Sequence, residues 1–336
     1  INHKTLFMKS FLSIALFVAS LIFVSSCDFR TETLKPKVSG LAGEVIVVMS
    51  QADWDSGIGD ECRKILSTDL IGLPQSEPVF NVIHVTPDRF DKIFTSHRNI
   101  ITVKTNPHFT EPKIVVLNDK WSFPQLIINV TAATDSTCIN LLADNAIQIV
   151  DRINEAERER VLINYKRYQE AGIYNALVQE HNVSLTIPKG YNLDVDSTNF
   201  IWISNETPLV SQGIFVYFYP YTDETNFLPE QLVLKRNQFL KEFVEGPSVN
   251  TWMTTEDILP PDYSEFEMEG RYYAKLRGLW KLENGFMGGP FISLSTVDEK
   301  RQRIVTVDGY VYAPSEEKRE LLRQVESILY SLEILD

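Results

Sequence analysis

The sequence predicts an α+β protein with two mixed α/β domains linked by a long helix, the second domain being an antiparallel sheet with packing helices. The chain has 336 residues, of which 44% are apolar, and this is enough for two domains of ordinary size with buried cores. Apolar β-branched segments alternate with helical patterns as far as about residue 180, as in α/β domains. Beyond that point, short strands follow one another between Pro, Gly and Asn turns, as in an antiparallel sheet.

Charge and cysteine content exclude two classes of protein. The chain has 32 Lys and Arg against 45 Asp and Glu, which gives a net charge of −13. A nucleic-acid-binding protein needs a basic face to displace the counterions of the phosphates, so no nucleic-acid partner is expected. Three cysteines in 336 residues exclude a disulfide-built scaffold and a Cys-rich zinc site.

The first 26 residues have the pattern of a secretory signal peptide. An apolar run at 11–24 follows Lys9, and it is shorter than the roughly 20 residues that a membrane span needs. Residues 1–7 contain no methionine. We therefore expect that translation starts at Met8 and that residues 1–7 come from an over-extended start.

The signal segment ends in a bacterial lipobox, Val24-Ser25-Ser26-Cys27. Small residues at 25 and 26 allow cleavage between Ser26 and Cys27, and the Cys27 thiol accepts a diacylglyceryl group. Several acyl chains, such as palmitate, give a stable anchor where one chain would be marginal. The sequence thus predicts a membrane partner through the lipid anchor, with a polar tether at 27–43. The alternative is an ordinary signal peptide with a chance cysteine.

The expected N-terminal domain, at 44–180, contains five strands and three helices. A compact β-branched strand at 44–50 precedes a helix that begins at Asp55-Ser56, because both residue types favour the N-cap. The long helix at 135–166 is charged on most faces in its second part, so we expect this part to project or to bridge. The remaining elements are strands at 79–86, 99–104, 113–117 and 126–130 and a helix at 87–96 with Pro87 at its first position.

The expected C-terminal domain, at 181–336, contains six strands and two helices. One helix covers 229–243, and the last begins at Pro314-Ser315 and has the apolar spacing of a helix that faces a core. The strands are expected at 183–191, 200–204, 213–221, 271–280, 291–297 and 303–313.

No motif for catalysis, a cofactor or a metal is present at the level of local sequence. The histidines are isolated, and Walker, GxSxG, SxxK and HExxH patterns are absent. Gly57-Ile58-Gly59 lacks the third glycine of a dinucleotide loop. The segment from Asp194 to Asn205 departs from a calcium loop at its sixth and twelfth positions, so a β-turn is predicted there. We therefore predict no catalytic residue, no cofactor and no metal site.

Two further features leave alternatives open. Cys62 and Cys138 could form a disulfide outside the cytosol, but both also suit buried free thiols near helix starts. The aromatic stripe Phe215, Tyr217, Tyr219 and Tyr221, with Trp202 nearby, could be a glycan or peptide platform, although both faces of its strand are apolar and core packing is favoured. Gly246-Pro247 and Gly288-Gly289-Pro290 could shape a binding loop or could be tight turns.

Several segments resemble a family of Bacteroidota cell-envelope lipoproteins that is known only as a domain of unknown function. The resemblance covers about residues 43–335 and implies no activity or catalytic residue. The second half also resembles, in its IPKGY-like opening and its final helix, the PsbP/Mog1 type of α+β sandwich, which implies a fold and no function. The segments that carry the family resemblance are GEVIVVMSQADWDSGIGD, GLPQSEPVF, SHRNIITV, WSFPQL, LTIPKGY, GGPFIS and DGYVYAP.

The sequence predicts a lipoprotein of the cell envelope, anchored to the outer membrane and facing the periplasm, that binds or scaffolds an unknown protein or glycan without catalysis. One alternative is an envelope enzyme whose site only folding assembles, with Asp53, Asp55, His84 or His97 taking part. The other is a structural subunit of an outer-membrane complex that uses the charged helix at 155–160.

Overall fold

Two large sheets of different kinds organise residues 35–336, the part of the chain that this computed structural model describes. One sheet is mixed and the other is antiparallel, so the predicted α+β class is confirmed. Residues 36–336 form one compact unit. The predicted signal peptide, the cleavage site between Ser26 and Cys27 and the lipidation of Cys27 lie outside the described residues.

The first half is a five-stranded sheet with helices. Strand β1 lies between β2 and β3, all three are parallel, and β5 continues the parallel set while β4 closes the edge in the antiparallel direction. Both faces of the sheet are covered by apolar clusters, which explains the near-continuous apolar strands. The strands are β1 (Glu44–Val48), β2 (Asn81–Val85), β3 (Asn99–Thr105), β4 (Lys113–Asn118) and β5 (Leu126–Ala132).

Helices of the first half differ from the predictions in three places, the first being a short helix at Gln51–Trp54 that was not expected. The helix expected at 87–96 shortens to Lys92–Thr95, because the side chain of Asp91 caps it at the backbone N–H of Ile93. The long helix expected at 135–166 is two helices that are separated at Asn145, whose side chain donates to the carbonyl of Leu141 at 2.8 Å. The helices are α1 (Gln51–Trp54), α2 (Gly57–Leu66), α3 (Lys92–Thr95), α4 (Asp135–Asp144) and α5 (Ala146–Arg167).

The charged part of this helix was expected to project or to bridge, and two of its charged residues instead face inward. Glu157 on α5 is 1% exposed and accepts hydrogen bonds from Asn99 at 2.6 Å and from Arg98 at 3.1 Å. Arg160 also bonds Glu157, at 3.0 Å, and donates to the carbonyl of Pro124 at 2.9 Å. Glu157 and Arg160 therefore satisfy polar groups at the amino ends of β3 and β5 within the same chain.

The second half is an eight-stranded, curled antiparallel sheet with a helix on each face. Along the central strand Ser211–Pro220, Ile214, Val216 and Phe218 face the last helix, while the aromatic stripe faces the other helix. The strands, in spatial order with the extra edge strand β11 last, are β10 (Trp252–Thr255), β12 (Arg271–Glu283), β13 (Gly288–Asp298), β14 (Arg303–Tyr312), β9 (Ser211–Pro220), β8 (Phe200–Glu206), β7 (Asn192–Asp196) and β11 (Asp262–Met268).

Edge elements of the second half were predicted least well. The segment for which a β-turn was predicted includes the end of β7, a tight turn at 197–199 in which the N–H of Ser197 donates to the carbonyl of Phe200 at 2.9 Å, and most of β8. The strand expected at 183–191 is reduced to β6 (Val183–Ser184), which pairs with β15 (Glu333–Ile334). Polar edge strands lack the apolar alternation that reveals a half-buried strand. The helices are α6 (Ala171–Ala176), which continues in a π-turn over Leu177–His181, then α7 (Pro229–Phe243) and α8 (Arg319–Leu329), with a short 3-10 turn at Glu224–Phe227.

Helix α8 lies between the two halves of the chain and contacts both of them. Its apolar face packs on the antiparallel sheet through residues such as Leu322 and Val325. On its polar face, Arg323 donates to the carbonyl of Val79 at 3.2 Å. None of the helices within residues 35–336 combines the length and the hydropathy that a bilayer crossing requires.

Candidate ligand-binding pocket

A cavity of about 360 Å³ opens on the α7 side of the antiparallel sheet, near the carboxyl end of β14. Three connections form its rim: the β8–β9 hairpin, the loop after α7 and the β12–β13 hairpin. Its volume lies within the range of small-molecule pockets. Its lining includes Trp202, Glu206, Leu209, Ser211, Val244, Glu245, Gly246, Pro247, Met253, Trp280, Leu282, Met287, Tyr310 and Tyr312.

Aromatic rings form much of the wall, and their positions are fixed by contacts. Trp280 meets Tyr310 edge-on at 5.8 Å and lies 6.2 Å from Tyr312. The indole N–H of Trp280 donates to the carbonyl of Val311 at 3.1 Å. Since this hydrogen bond and the ring contacts hold the indole, the wall exists without a ligand and need not be assembled on binding.

Two glycines let the rings lie this close to the sheet. A Cβ atom at Gly213 would lie 2.1 Å from Cε1 of Tyr310, and one at Gly289 would lie 2.1 Å from the carbonyl oxygen of Val311. Any larger residue at either position would displace the wall.

The charged side chains in the lining are all acidic. Glu206 and Glu245 contribute carboxylates, and no lysine, arginine or histidine is among the described lining residues. Glu206 accepts a hydrogen bond from the Ser211 hydroxyl at 2.6 Å. Burial raises the pKa of Tyr310, and the nearby carboxylates of Glu206 and Asp194 raise it further. The described lining therefore carries only negative formal charge.

Exposed apolar side chains stand at the tips of the rim. Leu209 is 65% exposed, Val249 is 91% exposed and Phe286 is fully exposed. The side chain of Asn284 donates to the carbonyl of Asn250 at 3.1 Å, which ties two of the three loops together. An apolar rim around an aromatic pocket is typical of a recognition surface.

Sequence reasoning found this site only in part. Trp202 and Gly246-Pro247 do lie in the pocket. The neighbouring stripe is core, because Phe215, Tyr217 and Tyr219 are at most 7% exposed. Trp280 was missed, and so were Tyr310 and Tyr312. The two-residue spacing of Tyr310 and Tyr312 predicts that they share one face of a strand, but no local signal shows that this face contacts Trp280.

The residues proposed for an enzyme are not all brought to one place within the described part of the chain. Asp53 follows the carboxyl end of β1 and bonds Ser50 at 2.8 Å, and His84 stacks on Trp54 at 4.5 Å. His97 lies at the other end of β1, 3.3 Å from Glu44.

Asp55 caps α1 and accepts from the side chain of Gln51 at 3.0 Å. It belongs to local helix structure, so the four residues form no common site.

Cys62 and Cys138 are free and buried in the core of the first half. Burial raises the pKa of the Cys62 thiol to about 12 and that of the Cys138 thiol to about 11. Neither thiol is therefore an activated nucleophile.

One group of metal-ligand type occurs in the described chain, although no local motif predicts it. Glu180, His181 and Asp196 each present one donor atom, and these atoms lie within 4.8 Å of one another. The group lies on the α8 side of the antiparallel sheet, because His181 stacks on Phe218. It is thus separate from the pocket.

Comparison with known proteins matches two parts of the chain to domains of unknown function. Residues 38–166 match the model of DUF8532, and residues 170–331 match that of DUF4837. This fits the expected resemblance to a family of unknown function. None of the curated proteins compared with the chain matches it.

Similar solved structures share only a distant likeness. The Saccharomyces cerevisiae Ran-binding protein Mog1p is 8% identical with a TM-score of 0.32, and the match covers 47% of this chain and 93% of that one. The lipid transfer and protein localization domain of human StarD13 is 12% identical with a TM-score of 0.22, covering 44% of this chain and 91% of that one. These scores carry no functional conclusion.

Proposed function

We propose that the chain is a non-enzymatic binding protein of the bacterial cell envelope that takes a neutral or cationic, largely apolar ligand into the pocket. The observation that carries the proposal is the lining, which combines the rings of Trp202, Trp280, Tyr310 and Tyr312 with two carboxylates and, among the described residues, no basic side chain.

The chemistry of this lining discriminates by charge. An ammonium group over the face of a Trp or Tyr ring is attracted by the ring quadrupole, by about 0.5–2 kcal/mol depending on exposure. Glu206 and Glu245 add attraction for a cation and repulsion for an anion. A neutral ligand with an apolar face, such as a sugar ring or an aromatic group, stacks on the same rings without charge.

The proposed place of action rests on the sequence of the leader. The lipobox at Cys27 supports a lipid-anchored protein of the Bacteroidota type, held at the outer membrane and facing the periplasm. In this arrangement the segment between Cys27 and Pro36, where the compact unit begins, gives the pocket access to envelope ligands and partner proteins.

Binding can be measured directly, since Trp202 and Trp280 are fluorophores in the pocket wall. Three probes that share a phenyl ring and differ in charge would be titrated: phenyltrimethylammonium, tert-butylbenzene and benzoate. We expect quenching or a spectral shift with the cation and the neutral probe and none with the anion.

The variant Glu206→Gln separates the role of charge from that of shape. It should weaken binding of the cation up to about fivefold, which is the size of an exposed ion pair, and leave the neutral probe unchanged. Glu299→Gln, at an exposed carboxylate of the β13–β14 turn, is the matched control. Binding of benzoate as strong as that of the cation, or no response to any probe, would overturn the proposal.

A further inference from the structure

A histidine and two carboxylates come together where the first half of the chain passes into the second. Glu180 and His181 end the π-turn after α6, and Asp196 is the last residue of β7. Nε2 of His181 lies 2.7 Å from Oδ1 of Asp196. The chain turns sharply after His181, because Asn182 is left-handed with φ 58°.

The imidazole is held in place by its surroundings. His181 is 5% exposed, and its ring lies nearly parallel to that of Phe218, 5.8 Å away. Its backbone carbonyl accepts a hydrogen bond from Arg303 at 2.6 Å. Nε2 thus points toward Asp196 with little freedom, while the carboxylates remain accessible because Glu180 and Asp196 are exposed.

We propose that Glu180, His181 and Asp196 bind a divalent transition-metal ion, with Zn²⁺ as the representative. One imidazole and two carboxylates are a ligand set that Zn²⁺ accepts, and three protein ligands leave a fourth position for water. Zn²⁺ is bound by N and O ligands at about 2.0–2.2 Å, so the ion replaces the proton between His181 and Asp196, and the two donor atoms move apart by roughly half an ångström.

The local charge suits a cation. Two carboxylates face the ion, and Arg303, which donates to the backbone carbonyl of His181, is paired with Asp298 at 3.0 Å. Arg303 stacks on the Phe218 ring at 4.1 Å, so it supports the wall behind the histidine. Metal binding here does not depend on the proposed pocket function, because the pocket lies on the other face of the sheet.

The test is calorimetric titration of the metal-stripped full chain with ZnCl₂. We expect one ion per chain, and at least about tenfold weaker binding in Glu180→Gln and in Asp196→Asn. Glu180 is exposed and Asn has the shape of Asp, so both variants should fold. The control is His108→Ala, which removes an exposed histidine elsewhere and should leave the affinity unchanged.

A second readout is thermal stability. Zn²⁺ should raise the melting temperature of the parent chain in proportion to the logarithm of its concentration, and should do so much less in Asp196→Asn. No saturable binding, or binding that is equal in the parent and both variants, would overturn the proposal. Neither result would bear on ligand binding in the pocket.

Discussion

The carboxylate of Glu77 caps the helix that begins at Arg319, 242 residues further along the chain. One oxygen accepts from the backbone N–H of Arg319 at 2.8 Å, and the other accepts from that of Lys318, also at 2.8 Å. The helix has no side-chain cap of its own. Glu77 is 6% exposed, so the first half of the chain supplies a buried helix cap to the second.

Replacing Glu77 with Ala should destabilise the whole compact unit. The substitution leaves two buried N–H groups unpaired and removes a negative charge from the positive end of the helix dipole. The expected loss is about 2–4 kcal/mol, since each unpaired buried donor costs about 1–3 kcal/mol. Urea unfolding measures it.

Glu317→Ala is the matched control for the cap, because Glu317 is exposed and its removal changes the net charge equally. It should change the free energy of unfolding by less than about 0.5 kcal/mol. Equal effects of the two substitutions would contradict the capping role of Glu77.

Glu326 should make the free energy of unfolding depend on pH in the acidic range. Burial alone would raise its pKa, but Arg277, Arg158 and Lys275 together lower it to about 2. Since the pKa is lower in the folded chain than in the unfolded one, the stabilisation is complete above about pH 4.5 and is lost as the pH falls toward 2. The amount lost is about 3 kcal/mol.

The measurement compares the parent with Glu326→Gln by urea unfolding at several pH values. The variant is less stable at pH 7, and the difference between the two proteins should shrink by about 3 kcal/mol on going to pH 2. For Glu317→Gln the difference from the parent should stay constant. A difference for Glu326→Gln that does not depend on pH would contradict the lowered pKa.

The two core thiols should be unreactive in the folded protein. With pKa values raised by burial to about 12 for Cys62 and about 11 for Cys138, almost no thiolate is present at pH 7.5. In a Cys27→Ala chain, a thiol reagent should label slowly under native conditions and should label two cysteines rapidly in urea without reductant. If neither cysteine is labelled in urea, Cys62 and Cys138 form a disulfide.

Replacement of Cys27 tests the lipid anchor. Because the thiol is the acceptor of the diacylglyceryl group, Cys27→Ala should yield soluble or unprocessed protein in place of membrane-bound protein. The measurement is fractionation with and without globomycin. Processing in the membrane that globomycin does not affect would contradict the lipoprotein proposal.

Most of the core elements could be predicted from local patterns. β1 and β9 are apolar and β-branched or aromatic, and α7 was predicted at its observed bounds, Pro229–Phe243. The start of α8 was placed at Pro314 instead of Arg319, because its cap comes from Glu77. A cap from another part of the chain leaves no signal next to the helix that it stabilises.

The site residues also separate into those whose position depends on local sequence and those whose position depends on distant parts of the chain. Periodicity alone determined the α+β class, the two-sided burial of β9 and the core position of the aromatic stripe, since these depend on residues within one element. The tertiary structure decided that Trp280 meets Tyr310, that Glu157 and Arg160 turn inward, and that His181 meets Asp196. Two of these contacts join residues that are distant in sequence, and the third decides which way the charged face of a helix points. Only the packing of the whole chain determines them.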